Sequence, residues 1–335
     1  MSLAAHMEIT ARAVNVNLAV AQGRTTALLG PNGAGKSTVL EALAGLLRPD
    51  AGAATHGNVT FFDTHAGKWL APRDRHVALV TQSDSLFPFM TVLENVAFGP
   101  RSRGLDKSSA RLRAREWLER VDAADLADRR PGTLSGGQAR RVSIARALAG
   151  APRLVLLDEP LAGLDLESAT AIRTLLSSAL DNVTAVVATH AALDAHALAD
   201  HVVVLESGHV AEAGTVTRVL TKPRTPFAAR MGGRVLLTGV PERDGIRLAT
   251  GELIRCETEA VAPGATAGVA IHPRDIWIDV TGIADAVIAL EPYGDLVRVH
   301  GSLLAADVDP LAVPLPRPGD AVRFAVKATS SAYSI

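Results

Sequence analysis

The chain holds 335 residues, 48% of them apolar, and its 34 Lys+Arg are balanced by 35 Asp+Glu for a formal charge of −1. That length suits two domains, each with its own core, and excludes a disordered tail or a disulfide-stapled mini-protein. Near-neutrality gives no general attraction to nucleic acid or anionic lipid, and the one cysteine, Cys256, can form neither an intramolecular disulfide nor a zinc cluster.

Residues 1–10 include His6 and Glu8 and lack a basic start followed by an apolar run, so no secretory signal is expected there. From residue 11 to about 213, β-branched and Leu-rich runs alternate with Ala- and Leu-rich stretches, the pattern of βα units around a sheet. Strands are predicted at 26–29, 76–80, 154–157, 185–188 and 202–205; their continuous apolar character predicts burial on both faces. All fall far short of the ~20 apolar residues a membrane-crossing helix needs. A helix is predicted over 39–47. Residues 105–121 read as an Arg-rich helical insert, with Leu112, Trp117, Leu118 and Val121 as its apolar stripe and the arginines as a solvated face.

Pro223, Pro226, Gly232 and Gly233 cluster where no periodic pattern runs, which places a domain boundary near 222–233. Beyond it, short runs at 235–237, 253–256, 268–271, 286–290, 296–299 and 322–326 are separated by turn residues, as in a small β-barrel or sandwich. Residues 234–335 carry nine Lys/Arg against thirteen Asp/Glu, a net of −4, which leaves the remainder near +3.

Gly30-Pro31-Asn32-Gly33-Ala34-Gly35-Lys36-Ser37-Thr38 fits G-x-x-x-x-G-K-[ST] between a predicted strand and a predicted helix. Its backbone N–H groups and the helix N-terminus would converge on phosphate, with Lys36 neutralising β/γ-phosphate charge and Ser37 ligating Mg²⁺. Alone, the loop leaves GTPases, kinases and motor ATPases open. Leu154-Val155-Leu156-Leu157-Asp158-Glu159 is an apolar strand ending in two acids, one for Mg²⁺ (Asp158) and one to polarise an attacking water (Glu159). Leu134-Ser135-Gly136-Gly137-Gln138 opens a further helix, either as an ordinary capped start or as a second anion-seeking end.

In this order the motifs resemble the ATP-binding-cassette (ABC) ATPases, over roughly residues 8–222: the phosphate loop, Gln82 after strand 76–80, the Ser135 turn, Asp158-Glu159, Asp165 in Leu161-Ala162-Gly163-Leu164-Asp165, and His190 after strand 185–188. The resemblance implies an α/β fold: a P-loop ABC ATPase domain over 1–230, with a helical subdomain at about 86–150, and then a small all-β barrel, OB-like or like the molybdate-binding module, over 234–335. It implies ATP and Mg²⁺ as cofactors, with the nine loop residues Gly30 to Thr38 on the nucleotide. Lys36, Gln82, Glu159 and His190 are its catalytic candidates; Ser37, Gln82 and Asp158 are its metal candidates. Ser135, Gly136, Gly137 and Gln138 would close on ATP held by the opposite subunit of a homodimer, and Asp165 would join the two sites. No aromatic residue precedes the loop, where the family usually stacks a ring on adenine. Arg12 offers a guanidinium plane instead.

One cassette with no spanning helix resembles the separate ATPase subunit of an importer, peripheral on the cytoplasmic face of the cell membrane. Integral-membrane permease subunits are its implied partners, an extracytoplasmic solute-binding protein an indirect one, and nucleic acid none. Residues 86–96 (LFPFMTVLENV) resemble the stretch whose groove receives a permease coupling helix. Ile271-His272-Pro273-Arg274-Asp275-Ile276 stands where importers of this kind usually carry Arg-Pro-Glu-Asp, so His272 and Arg274 are departures. Residues 284–301 and 319–330 resemble one repeat of the molybdate-binding β-module, although its Ser-Ala-Arg-Asn turn has no counterpart at 280–284. The resemblance is therefore to molybdate-importer ATPases, handling molybdate or tungstate, with sulfate, iron, polyamine and sugar importers as alternatives. A non-enzymatic reading makes the β-domain a cytosolic oxyanion sensor.

Overall fold

The structure, a computed structural model, describes all residues except 1, 82–84, 259, 260, 263, 312, 313 and 328–330. Gln82 therefore lies outside the described residues, as does the end of the β-module stretch at 328–330. The chain divides into two compact units, Met1–Val216 and Thr217–Ile335.

In the first unit, β1 (Leu3–Ile9), β2 (Val14–Val20), β4 (Ala51–His56), β5 (Val59–Asp63) and β6 (Lys68–Trp69) form an antiparallel sheet in the order β2-β1-β4-β5-β6. A second sheet has the order β11-β10-β3-β9-β8-β7, from β3 (Thr25–Leu29), β7 (Val77–Val80), β8 (Leu154–Asp158), β9 (Thr184–Ala188), β10 (His201–Glu206) and β11 (His209–Thr215). All its pairings are parallel except β10 with β11. Its central strands are buried on both faces, as their apolar runs predict. Along β8, Leu154 and Leu156 join a core with the antiparallel sheet and α1 (Lys36–Ala44), whereas Val155 and Leu157 join one with α4 (Gly136–Ala149) and α5 (Leu166–Ala179). A period of two makes one strand serve both cores.

Arg75, only 1% exposed, closes the C-terminal end of α1 by donating to the carbonyls of Ala42 and Leu43, at 2.8 and 2.9 Å. Its guanidinium lies 4.5 Å from the Trp69 ring centroid, and burial pushes its pKa down to about 10. It still carries its charge at neutral pH, and the helix's carbonyl end is a favourable place for one.

The helical subdomain packs α2 (Val92–Ser102), α3 (Lys107–Arg120) and α4 around one apolar cluster. The α3 stripe differs from the sequence expectation. Ala110, Ala114 and Leu118 face the core at four-residue steps and Val121 follows them, but Leu112 is 62% exposed and Trp117 only partly buried. Residues at i, i+4 and i+8 share a face, and alanines there let helices approach closely; Leu112 falls between those steps. The short helix α6 (Ala192–Leu198) follows β9.

The division of the chain falls within α7 (Val216–Thr221), ahead of the Pro/Gly-rich segment where the sequence placed it. That segment belongs to the second unit because Tyr333 donates its hydroxyl to Pro223 O at 2.7 Å. In addition, the backbone leaving α8 (Pro226–Met231) is held by Arg234 N to Ala229 O at 2.8 Å. The rest of the unit is all β. The strands β12 (Val235–Glu242), β13 (Gly245–Leu248), β14 (Leu253–Arg255), β15 (Ala267–Ile271) and β20 (Tyr333–Ser334) form one antiparallel sheet, ordered β14-β13-β12-β15-β20. A second, ordered β18-β17-β16-β19, contains β16 (Ile276–Tyr293), β17 (Leu296–Gly301), β18 (Ala305–Val308) and β19 (Ala321–Val326). Both sheets share one core, with Ile246, Val269, Val287, Val299 and Phe324 at its centre, which gives a small barrel-like unit.

Asp285 fastens that unit. Only 8% exposed, its carboxylate accepts the N–H groups of Ser302, Leu303 and Leu304 at 2.9, 2.9 and 3.1 Å, and also the Ser302 hydroxyl. Burial works to raise its pKa, but the Ser302 hydroxyl and these N–H groups outweigh burial, and the net direction is downward. A depressed carboxyl contributes stability above the unfolded-state pKa and loses it as pH falls through the folded value. Asp285→Ala is expected to destabilise the chain by about 2–4 kcal/mol at neutral pH. The deficit should shrink as pH falls below about 4. Calorimetric melts of the full chain across that range check both statements.

Candidate functional site

Parallel register brings three loops to one edge of the sheet. Leu28 pairs with Ala188 and Asp158 also pairs with Ala188, so β3, β8 and β9 end together. Ligands of open α/β sheets sit beyond such carboxyl ends. The loop after β3 carries Gly30 to Thr38; β8 ends in Asp158-Glu159; β9 leads to His190. These segments line a cavity of about 560 Å³, whose walls include Arg12, Asn32, Lys36, Asp158, Glu159 and His190.

Gly35 caps the start of α1 with φ 100°, and a Cβ there would stand 2.6 Å from Val14 Cγ2, so the loop needs glycine at this turn. Lys36 is 7% exposed, and its ammonium donates to Gly30 O and Pro31 O at 2.8 and 3.1 Å. Burial lowers its pKa, while the nearby Glu159 and Asp158 charges oppose that shift. Asp158 is driven upward, first by burial and then by Glu159 and Glu41, against a hydrogen bond from Ser37 and the charge of Lys36.

Of the three predicted metal ligands, Ser37 and Asp158 line this cavity and Gln82 lies outside the described residues; Asp158 Oδ1 is buried with no hydrogen-bond partner among the described residues. An orphaned carboxylate oxygen beside a hydroxyl fits a hard cation that takes most of its remaining ligands from water and phosphate, as Mg²⁺ does. No group of three or more His, Cys, Asp or Glu poised for a metal occurs among the described residues.

Glu159 has φ 50°, a backbone conformation uncommon outside glycine, and is held there by its N–H on Ala188 O at 2.9 Å. Its Oε2 lies 2.6 Å from His190 Nδ1, so two acid–base groups from adjacent strands meet at the cavity.

The Ser135 turn and Asp165 lie outside the lining of this cavity. Ser135 forms a capping box with Gln138, accepting from Gln138 N at 3.3 Å while its own N–H donates to Gln138 Oε1 at 3.0 Å. Asp165 caps α5 by accepting from Ser168 N at 2.9 Å, and the Ser168 hydrogen bonds lower its pKa. These two helix starts are neighbours: a Cβ on Gly137 would lie 3.2 Å from Ser168 Oγ.

A second feature was missed by sequence reasoning. Asn95 is fully buried in α2, accepts Phe87 N at 2.7 Å, and donates to the carbonyls of Phe87, Met90 and Thr91. It holds residues 87–91 in place, with Phe87 edge-on to Phe98 at 4.8 Å and beneath the Arg146 guanidinium at 4.0 Å. Phe89 is left 89% exposed. An amide inside the apolar face of Val92, Leu93 and Val96 was the available signal. Asn95→Ala is expected to cost about 2–3 kcal/mol. Hydrogen exchange should rise locally at residues 87–91; unchanged protection there would exclude this anchoring role.

Residues 13–162 match the protein family described as ABC transporter. The chain is 42% identical to the molybdenum import ATP-binding protein ModC of Mycobacterium tuberculosis (strain ATCC 25618 / H37Rv), over 95% of this chain and 93% of that one. It is 36% identical to the sulfate/thiosulfate import ATP-binding protein CysA of Bradyrhizobium diazoefficiens, over 90% and 88% respectively. Among solved structures, it resembles the dimeric post-hydrolysis state of the ATP-binding cassette MJ0796 bound to ADP and Pi. That match has a TM-score of 0.57 and 31% identity, covering 64% of this chain and 99% of the cassette.

Proposed function

The chain belongs to the ABC transporter family, and from that premise we propose that it is the ATP-hydrolysing subunit of a molybdate or tungstate importer. In this reading it works as a homodimer, peripheral on the cytoplasmic face of the membrane, beneath permease subunits served by an extracytoplasmic binding protein. No helix among the described residues is long and apolar enough to cross a bilayer. The observation that carries the catalytic part is the convergence of Lys36, Ser37, Asp158, Glu159 and His190 on one cavity.

Phosphoryl transfer needs positioning and charge neutralisation more than covalent help. Lys36 exchanges the carbonyls of Gly30 and Pro31 for phosphate oxygens, and the N–H groups at the start of α1 receive the same anion. Ser37 and Asp158 would hold Mg²⁺, which when bound would neutralise phosphate charge. Glu159 aligns the attacking water and takes its proton, with His190 fixing its carboxylate from β9. The Ser135 turn and Asp165, standing outside their own chain's cavity, serve the nucleotide of the partner copy. The exposed Phe89 and the aromatic pair behind it offer the permease an apolar contact.

The solute assignment draws on a relative that is similar across both units. The sensor alternative gains nothing from the N–H nest at residues 302–304, because the chain's own Asp285 fills it.

Glu159→Gln is expected to slow ATP turnover at least about a hundredfold and to trap an ATP-bound dimer on size exclusion; undiminished turnover removes Glu159 from the catalytic role. Reconstituted with its copurifying permease and binding protein, the ATPase should be stimulated by molybdate and not by sulfate. Stimulation by sulfate alone would move the chain to the sulfate branch.

A further inference from the structure

We infer that Arg173 and Asp194 are positioning residues for hydrolysis: their buried ion pair, acting through the Thr189 hydroxyl, fixes the backbone on either side of His190 and so the point at which its ring meets Glu159. The inference rests on the ATPase reading above. His190 needs such support. Its side chain is 61% exposed, yet its Nδ1 stands 2.6 Å from Glu159 Oε2. A ring with so little packing around it takes its place from the backbone that carries it, and a contact of this length is kept only when that support is itself locked by hydrogen bonds.

Thr189 supplies the lock. Only 2% exposed, it donates its N–H to Leu28 O at 3.2 Å, which ties it to β3 just ahead of the phosphate loop. Its hydroxyl accepts Ala191 N at 3.1 Å and donates to Asp194 Oδ2 at 3.2 Å, in the first turn of α6. One hydroxyl thus joins the residues before and after His190, and the carboxylate draws its hydrogen to one side so that a lone pair faces Ala191 N. The carboxylate is held in turn from α5. Asp194 is 5% exposed, and its Oδ1 accepts both Nε and Nη2 of Arg173, at 3.0 and 2.8 Å. Two charged donors on one oxygen leave the other to Thr189 and set the rotation of the carboxylate. Ile172 and Leu176 of α5 pack with Leu198 of α6 in one apolar cluster, so the helices that bear the pair are docked by other contacts as well. Neither Arg173 nor Asp194 lines the nucleotide cavity. Their effect on the reaction passes through Thr189 and His190.

The test follows ATP turnover by the full chain. Thr189→Val keeps the outline of the side chain and removes the hydroxyl. The double variant Arg173→Met with Asp194→Leu exchanges the whole pair for apolar groups, a replacement that buried ion pairs often tolerate without loss of stability. Both are expected to lower kcat roughly tenfold or more while the KM for ATP stays within about twofold of wild type, and the double variant should melt near wild type. Should it melt early, Thr189→Val, which leaves the pair in place, decides. Groups that act as one unit are non-additive, so in a His190→Ala background neither change should reduce turnover further. Wild-type kcat in the variants, or a further loss of the same size in the His190→Ala background, would make the pair a tie between two helices and overturn the positioning role alone. If wild type does not hydrolyse ATP, or His190→Ala turns over like wild type, the ATPase reading of the site itself fails and takes this inference with it.

Discussion

The parallel register of β3, β9 and β8 is the constraint on which the site depends. A strand slipped by one residue would turn its side chains to the opposite face and carry its terminal loop away from the others. Slippage is opposed from both sides, because alternate residues of β8 and β9 are committed to two different cores. The loop lysine, the two acids and the histidine therefore occupy one edge, where Glu159 and His190 meet directly. The sheet performs the alignment that a rigid scaffold must supply before preorganised electrostatics can work.

The same strands bind the helices to the chemistry. Val155 and Leu157, immediately ahead of Asp158, pack in the cluster that contains Ile144 and Leu148 of α4, and α4 begins at the Ser135 turn. A displacement of α4 is thus felt one residue from the acids. At its other face, α4 joins the cluster of α2 and α3, and Arg146 reaches from it to the Phe87 ring. One helix is in contact with the acid-bearing strand, with the neighbouring helices and with the exposed aromatic segment, through packing that has little free volume to absorb movement.

Much of this was legible because chemistry and fold coincide in contiguous segments. The central strands announce themselves as unbroken apolar runs, and the phosphate loop lies where a strand meets a helix. The antiparallel sheet was not legible. In β1 only Leu3, Ala5, Met7 and Ile9 are buried, and an alternation partly written in alanine is faint; β4 buries a single residue, Ala54. The error in α3 has a related cause, since Leu112 outweighs Ala110 and Ala114 on any hydropathy scale, although the close helix contact belongs to the small residues. Arg75 and Asn95 escaped notice because their value lies in satisfying carbonyls and N–H groups from distant segments, which no local pattern encodes. The domain boundary moved for the same reason: Tyr333 reaches back across 110 positions to Pro223.

Lys36 carries a consequence for how affinity is divided between fold and ligand. Its ammonium has already left bulk water and rests on two carbonyls of its own loop. Dehydrating a cation is among the larger penalties in forming any ionic contact, and here that penalty belongs to folding. An arriving polyanion meets a charge already stripped of most of its water and needs only to displace neutral acceptors. Tight association at this loop therefore requires little new desolvation of the protein. A variant that let water back to Lys36 would lose affinity even with every phosphate contact preserved.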